Sequence, residues 1–210
     1  MSIVNPSPTI YESSLIDFSV NGCLWQIDNF FTDEGLNLLS QTIEKETITP
    51  FPPIPEHPDK LYPSDVSKMA RIHLTRIDEY FDISEEVLSL YHAYRPLSVF
   101  GKHKMSYPSG FDIKVDSKLI MTYPRTKYHT HSDAGWKFMS MIIYLGESGD
   151  GTRFLPNEGG NWETESIEIP WKNNCGYFFF TTEQSYHFYW NKSYTDIRSV
   201  CVINVVPNDD

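Results

Sequence analysis

The chain has 210 residues, of which 40% are hydrophobic, and a formal net charge of −11 at pH 7. This length is enough for one domain with a sizeable core, and no shift in composition divides the chain, so we predict a single domain over residues 1–210. The negative charge argues against nucleic acid as the main partner, because binding phosphate backbones requires a basic surface.

The cysteines and the N-terminus bear on where the protein works. Cys23, Cys175 and Cys201 lie far apart in sequence and form no C-x-x-C pair, which argues against a disulfide framework and a zinc knuckle. The N-terminus lacks the features of a signal peptide, and no stretch is long enough to cross a membrane. We therefore predict a soluble cytoplasmic protein without membrane association; the sequence does not indicate its oligomeric state.

The first part of the chain mixes loops with a strand and a helix. Residues 1–20 have no periodic pattern, which indicates an arm lying on the domain. The apolar run 23–28 predicts a strand, and Thr32 or Asp33 can then cap a helix with an apolar stripe. Residues 47–63 contain six prolines. They show no periodicity either, so we predict a long loop or lid there.

Two more helices are predicted before residue 97. One begins at Ser64 and has an apolar face that includes His73, which we interpret as a packed or surface residue. The other begins with a capping box formed by Asp82 and Glu85 and ends at Arg95. The apolar face of the helix that begins at Ser64 is formed by Val66, Met69, Ala70, His73 and Ile77.

After Pro96 the pattern changes to short β-rich runs separated by turns. The predicted strands are 97–100, 111–115, 119–123, 138–145, 152–155, 166–169, 177–181, 185–189 and 200–206. Helices followed by many short strands predict an α+β domain with a β-sandwich or barrel core. We assign the supporting helices and the lid to residues 1–115 and the core to residues 116–207.

A candidate metal site lies in this core. His131 and Asp133 stand two residues apart in a run expected to be extended, so their side chains should point to one face. They provide half of a metal site, and a cation such as Fe(II) needs one more ligand on that side, which His187 can supply. Two histidines and one carboxylate leave the opposite coordination positions open for a substrate carboxylate and dioxygen.

His129 is an alternative ligand, since it shares a face with His131 and would form an H-x-H pair of the cupin type. Such sites require a glutamate a few residues later, whereas this chain continues with Ala134, Gly135 and Trp136. We therefore favour a position at the mouth of the site, or a supporting role behind a ligand, over metal binding by His129.

Arg198 follows His187 by eleven residues, and the whole set resembles the Fe(II)/2-oxoglutarate oxygenases, most closely their prolyl-4-hydroxylase-like branch. The resemblance covers residues 119–206. It includes a tyrosine-rich strand, an apolar strand ending in Tyr-Leu, a glycine-rich turn leading into x-Phe-x-Pro, and a Gly-x-x-x-Phe strand, at residues 123–128, 139–145, 149–156 and 176–180. It implies that the core is a double-stranded β-helix, or jelly-roll.

The resemblance also implies the chemistry. Fe(II), held by the catalytic ligands His131, Asp133 and His187, and the co-substrate 2-oxoglutarate would use O2 to hydroxylate a substrate, with release of succinate and CO2. Ascorbate is a candidate stimulant. Asp133 indicates hydroxylation, since a halogenating relative would carry a small residue there. The substrate implied is a prolyl or other peptide residue; a free small molecule remains an alternative, as does a catalytically silent binding module.

Arg198 is the residue expected to hold 2-oxoglutarate, because a planar guanidinium binds a carboxylate through two parallel hydrogen bonds. By resemblance, Tyr144 would help to hold the same distal carboxylate and Tyr123 would line the co-substrate pocket. Packing in an aromatic core is the alternative role for both tyrosines. Relatives often carry a hydroxyl residue four positions after the arginine, where this chain has Val202.

Overall fold

In the computed structural model, the described residues form two α-helices, one short 3-10 helix (Arg95–Leu97) and eleven β-strands. The helices are α1 (Asp33–Glu46) and α2 (Ser84–Tyr94), and the strands are β1 (Thr9–Glu12), β2 (Leu24–Asp28), β3 (Ile72–Arg76), β4 (Ile113–Thr122), β5 (Lys127–His131), β6 (Met139–Leu145), β7 (Arg153–Phe154), β8 (Ile167–Glu168), β9 (Cys175–Phe180), β10 (His187–Trp190) and β11 (Arg198–Pro207). Neither of the described helices is long and apolar enough to cross a membrane.

The structure describes residues 3–13, 24–46, 72–77, 81–97, 112–133, 137–147, 149–155, 160–161, 163–181, 185–193 and 195–208. The lid predicted at 47–63 lies outside these residues. So do the start of the helix predicted from Ser64 and nearly all of the strand predicted at 97–100.

The strands form two antiparallel sheets. One has seven strands in the order β1-β2-β9-β6-β11-β4-β3, and the other has four in the order β5-β10-β7-β8. From β4 onward the chain passes back and forth between the sheets: β4, β6, β9 and β11 lie in the first, and β5, β7, β8 and β10 in the second. This alternation is consistent with the predicted jelly-roll core.

Side chains along β9 show how the seven-stranded sheet separates two apolar regions. Phe178 and Phe180 belong to the buried cluster that also contains apolar residues of α1 and α2. Tyr177 and Phe179 point the other way and pack with Phe154 of the four-stranded sheet. Alternation in a strand produces this division. The second cluster therefore lies between the sheets, on the same side as the predicted site.

Asn174 joins the turn before β9 to the segment before α1. It adopts a left-handed conformation with φ 58°, which asparagine tolerates better than most residues. Its Oδ1 accepts a hydrogen bond from the amide of Phe31 at 2.7 Å, and its Nδ2 donates to the Phe31 carbonyl at 2.8 Å. One side chain thus satisfies both backbone groups of a buried residue.

Replacing Asn174 by alanine is expected to lower the free energy of unfolding by about 2–4 kcal/mol, because both Phe31 backbone groups would be left buried without partners. Urea denaturation measures this change. Asn173 is the matched control, since its Oδ1 accepts an exposed hydrogen bond from the amide of Gly146. If Asn174→Ala loses no more free energy of unfolding than Asn173→Ala, the Asn174 side chain does not stabilise the fold through Phe31.

The helix predicted from Ser64 is wrong at its C-terminal end, where β3 pairs with β4 from Ile72 opposite Thr122 to Arg76 opposite Lys118. His73 therefore lies in a strand. The helical spacing of the apolar residues is outweighed by backbone pairing with a long neighbouring strand, which a local pattern cannot show.

The strands predicted at 111–115 and 119–123 form one strand, β4. Its polar middle residues Asp116 and Lys118 face Asn204 and Val202 of β11 in register, so polarity there does not mark a turn. The capping box is also wrong: α2 begins at Ser84, and Ile83 at its N-cap makes no side-chain cap. Asp82 instead accepts a hydrogen bond from the Ser84 amide at 3.0 Å.

The N-terminal arm contains a strand that its sequence pattern did not predict. β1 pairs with β2 from Thr9 opposite Asp28 to Glu12 opposite Trp25 and forms the edge of the larger sheet. The N-terminal part of the chain therefore extends the sheet with strands as well as supporting it with helices.

Candidate metal centre

The three predicted ligands come together where β5 ends and β10 begins. His131 is the last residue of β5 and is paired in register with His187, the first residue of β10. Asp133 follows two residues after β5 ends. The candidate ligand atoms of the three side chains all lie within 4.8 Å of one another, and His131 Nε2 is 4.0 Å from Asp133 Oδ1.

Asp133 is held from two sides. Lys137 Nζ donates to its Oδ1 at 2.6 Å, and the Ser140 hydroxyl donates to its Oδ2. Burial alone would raise the pKa of Asp133, but His187, Lys137 and Ser140 together hold that pKa below its usual value. At neutral pH the Lys137 ammonium provides the positive charge among these neighbours. Asp133 is therefore a carboxylate fixed at the site.

His187 is oriented by its own strand. Its Nδ1 lies 2.8 Å from the Ser185 carbonyl oxygen, so Nδ1 carries the proton and donates, and Nε2 keeps its lone pair. Burial lowers the pKa of His187, although the Asp133 carboxylate and the Ser185 carbonyl oppose this. The imidazole is therefore neutral near pH 7, as a metal ligand must be.

Arg198 begins β11 and lies between the two sheets. It is 1% exposed, its Nε donates to the Asp150 carbonyl at 3.0 Å, and its Nη2 donates to the Thr152 hydroxyl at 3.0 Å. Its guanidinium carbon stands 4.1 Å from the ring centroid of Tyr189. None of these partners within the described part of the chain is a carboxylate. A buried cation whose described hydrogen-bond partners are neutral is suited to binding an anion.

The described part of the predicted glycine-rich turn, residues 149–155, lies against this arginine. A Cβ at Gly151 would stand 1.9 Å from the Ile169 carbonyl oxygen, so only glycine allows the chain to pass so close to that residue. Asp150 fixes the turn by accepting a hydrogen bond from the Lys192 amide at 2.6 Å. The turn thereby brings the Asp150 carbonyl and the Thr152 hydroxyl to Arg198.

Tyr144 lies beside Arg198, but its hydroxyl is already used. It accepts a hydrogen bond from the Thr152 amide at 2.9 Å and donates to the Ile169 carbonyl at 3.3 Å. The ring stacks on Trp171, with centroids 4.5 Å apart. In this structure the Tyr144 hydroxyl therefore holds the backbone around the site, and its predicted contact with a carboxylate stays a prediction.

The other sequence-predicted residues are less defined. Tyr123 directly follows β4 and is 5% exposed, and its role in a co-substrate pocket stays a prediction. His129 lies in β5, but the structure describes only its backbone. Sequence reasoning missed Thr152, Lys137 and Tyr189. None of these carried a local signal, because their contacts with the site depend on how the chain folds around it.

Several side chains on the inner face of the larger sheet, near Arg198, are only partly buried. Val200 of β11 lies opposite Ile120 on one side and Tyr144 on the other, while Ile142 lies opposite Val202. All five side chains share the face that carries Arg198. Ile120, Ile142 and Val202 are only partly buried, although they face the second sheet. Solvent therefore reaches part of the sheet face that carries Arg198.

The fold is similar to that of a prolyl-4-hydroxylase, as the sequence motifs predicted. The crystal structure of a Pseudomonas putida prolyl-4-hydroxylase aligns with 88% of this chain and 92% of that chain, with a TM-score of 0.51 and 14% sequence identity. An oxidoreductase of the 2OG-Fe(II) oxygenase family from Burkholderia pseudomallei covers 87% of this chain and 84% of its own, with a TM-score of 0.46 and 12% identity. No protein-family model and no curated protein matches the sequence.

Proposed function

We propose that this protein is an Fe(II)- and 2-oxoglutarate-dependent dioxygenase that hydroxylates its substrate and releases succinate and CO2. The observation that carries the proposal is the placement of Arg198, a buried cation without an acidic partner among the described residues. It lies on the inner face of the same small sandwich that holds His131, Asp133 and His187.

The donor set fits Fe(II). Two imidazoles and one carboxylate on one side of an ion are typical of non-haem iron oxygenases and leave coordination positions free. His187 presents Nε2 because Ser185 engages its Nδ1, and Asp133 is kept ionised by Lys137. Bound Fe(II) would supply the activation of dioxygen, while these residues fix the position and charge of the ligand set.

The co-substrate would bind between Arg198 and the three candidate metal ligands, His131, Asp133 and His187, which we call the ligand group. Its distal carboxylate would meet the guanidinium, which the Asp150 carbonyl and the Thr152 hydroxyl hold in place. The partly exposed side chains of Ile120, Ile142 and Val202 would border its methylene groups. Burial of the charge pair away from water favours both affinity and orientation.

The substrate class we favour is a prolyl or other peptide residue. The P. putida structure with the same fold is a prolyl-4-hydroxylase, and His131 is 27% exposed at its side chain, so the ligand group can be reached from outside. A free amino acid or nucleoside is the alternative that the same assay distinguishes.

The test is a screen for succinate release. The protein with Fe(II), 2-oxoglutarate, O2 and ascorbate is incubated with proline-containing peptides, free amino acids or nucleosides, and succinate and hydroxylated product are measured together. Stoichiometric formation of both with a peptide is expected. If product forms only from free amino acids, the substrate is a small molecule and not a peptide. No succinate with or without any substrate, from protein shown to bind Fe(II), would contradict the proposed reaction.

A further inference from the structure

Two buried polar residues, Ser140 of β6 and Asn204 of β11, lie opposite each other in the larger sheet. Alternation along β11 puts Asn204 on the face that carries Arg198. The next pair along the two strands on this face, Ile142 with Val202, is apolar. Burying polar side chains is unfavourable unless they are hydrogen-bonded, so this polar pair on an otherwise apolar stretch of sheet requires an explanation.

The Ser140 hydroxyl connects the pair to Asp133. Ser140 Oγ donates to Asp133 Oδ2, and it lies 3.0 Å from Oδ1 of Asn204. A hydroxyl has one hydrogen and an ionised carboxylate can only accept, so that hydrogen belongs to Asp133. Asn204 must then be the donor to Ser140, which requires its Oδ1 and Nδ2 to be exchanged. The two atoms are distinguished by their hydrogen bonds alone, and the exchange breaks no other hydrogen bond of Asn204 within the described residues.

The two oxygens of Asp133 therefore have different surroundings. Oδ1 lies 4.0 Å from His131 Nε2 and accepts a hydrogen bond from Lys137 at 2.6 Å. A carboxylate oxygen has two lone pairs, so Oδ1 can keep Lys137 as a partner and still bind a metal. Oδ2 is the oxygen that Ser140 holds. Oδ1 is thus directed to the histidine side of the ligand group, and Oδ2 is anchored to the larger sheet.

Asp133 needs such an anchor because it lies outside the strands. β5 ends at His131, two residues earlier, so the pairing of β5 with β10 does not fix the Asp133 side chain. Ser140 lies in β6, which is paired with β9 and β11, and Asn204 lies in β11, which is paired with β6 and β4. Two interior strands of the larger sheet therefore hold a carboxylate that belongs to a loop.

We propose that Ser140 and Asn204 are positioning residues that hold Oδ2 of Asp133, so that Asp133 offers a metal Oδ1 alone. The hydrogen bonds run from Asn204 Nδ2 to Ser140 Oγ and from Ser140 Oγ to Asp133 Oδ2. β11 then serves both parts of the site, with Arg198 at its start and Asn204 further along. The inference rests on the part of the proposed function that assigns a divalent metal to the ligand group.

The experiment compares Ser140→Val with Ser140→Thr, two side chains of similar shape of which only threonine has a hydroxyl. Fe(II) affinity is measured under anaerobic conditions by competition with a chelator. Ser140→Val is expected to bind Fe(II) about ten- to a hundredfold more weakly, the usual effect of removing a group that orients a metal ligand. Ser140→Thr should keep the affinity of the unmodified protein.

Asn204→Leu tests the second hydrogen bond. It removes the donor to Ser140 at similar size and should weaken Fe(II) binding about two- to tenfold, the range for one neutral hydrogen bond. Because Asn204 acts through Ser140, the same change should have no further effect in Ser140→Val. The matched control is Ser117→Val, which removes a buried serine hydroxyl of β4 on the opposite face of the sheet and should leave Fe(II) binding unchanged.

The visible absorption of the Co(II)-loaded proteins reports ligand geometry, which a merely structural role would not change. Ser140→Val and Asn204→Leu should alter the Co(II) bands, because Asp133 can then turn and present both oxygens. Ser140→Thr and Ser117→Val should give the spectrum of the unmodified protein.

Several outcomes would overturn the inference. Unchanged Fe(II) affinity and Co(II) spectrum in folded Ser140→Val, with metal binding by the unmodified protein, reject it and leave the proposed function standing. Equal losses in Ser140→Val and Ser140→Thr assign the effect to side-chain volume and reject it as well. A further loss from Asn204→Leu in Ser140→Val rejects the role of Asn204 through Ser140. Failure of the unmodified protein to bind either metal rejects the inference together with the proposed function.

Discussion

Replacing His187 by alanine is expected to abolish Fe(II) binding and, with it, all turnover of 2-oxoglutarate. His187 is 5% exposed, and its ring is held by the Ser185 carbonyl, so the alanine variant loses a candidate ligand that is fixed in position. A ligand that binds only the folded state at 100 times its Kd stabilises that state by about 2.7 kcal/mol. Anaerobic thermal unfolding with and without Fe(II) should therefore show stabilisation of the unmodified protein and none of the variant.

Two comparisons make the His187 result specific. His92→Ala is the control for loss of a histidine, because His92 is exposed on α2 and should leave iron binding unchanged. Asp133→Asn keeps the size of a second ligand but removes its charge, so it should also lose iron even if His187→Ala folds poorly. Turnover by a folded His187→Ala protein, or iron held in both ligand variants, would contradict the ligand assignment.

That the three candidate ligands lie together could be predicted in part, because two of them are close in sequence. His131 and Asp133 are separated by one residue, and His187 opens a run with a strong β pattern. The sequence could not show that His187 pairs directly with His131, since that pairing depends on the order of strands in the smaller sheet. It also placed Asp133 in the strand, whereas the structure ends β5 at His131.

Several strands could be predicted because their residues face an apolar layer on both sides. All six residues of β9 are buried, and Gly176 is required because a Cβ there would stand 1.8 Å from the Ile142 carbonyl oxygen. β3 was mistaken for part of a helix because only its pairing with β4 distinguishes it. Short local patterns carry no information about such long-range partners.

The individual contacts around Arg198 also could not be predicted from the sequence. The motif located Arg198 and Tyr144, which do lie side by side, with the guanidinium carbon 5.9 Å from the Tyr144 ring centroid. It could not show that the Tyr144 hydroxyl bonds to Thr152 and Ile169, because those contacts depend on how the glycine-rich turn folds back.

Replacing Arg198 by alanine is expected to weaken 2-oxoglutarate binding about thirtyfold to a few thousandfold. Truncating one partner of a buried, hydrogen-bonded charge pair costs about 2–5 kcal/mol, because the other charge is left desolvated and unpaired, and each 1.4 kcal/mol or so is a factor of ten. Tyr144→Phe should cost less. Anaerobic titration of 2-oxoglutarate into the Fe(II)-loaded proteins measures both changes.

The control for Arg198→Ala is Arg153→Ala, which removes an arginine that already has an acidic partner in Glu168 and should change 2-oxoglutarate affinity little. Arg198→Lys keeps the charge but not the planar pair of donors, so its affinity should fall between those of the unmodified protein and Arg198→Ala. Iron affinity should be the same in all of these variants, because Arg198 does not contact the ligand group. If 2-oxoglutarate binds equally well to folded, iron-loaded Arg198→Ala, the main reason for assigning 2-oxoglutarate to this site is lost, whereas the assignment of the metal ligands is not affected.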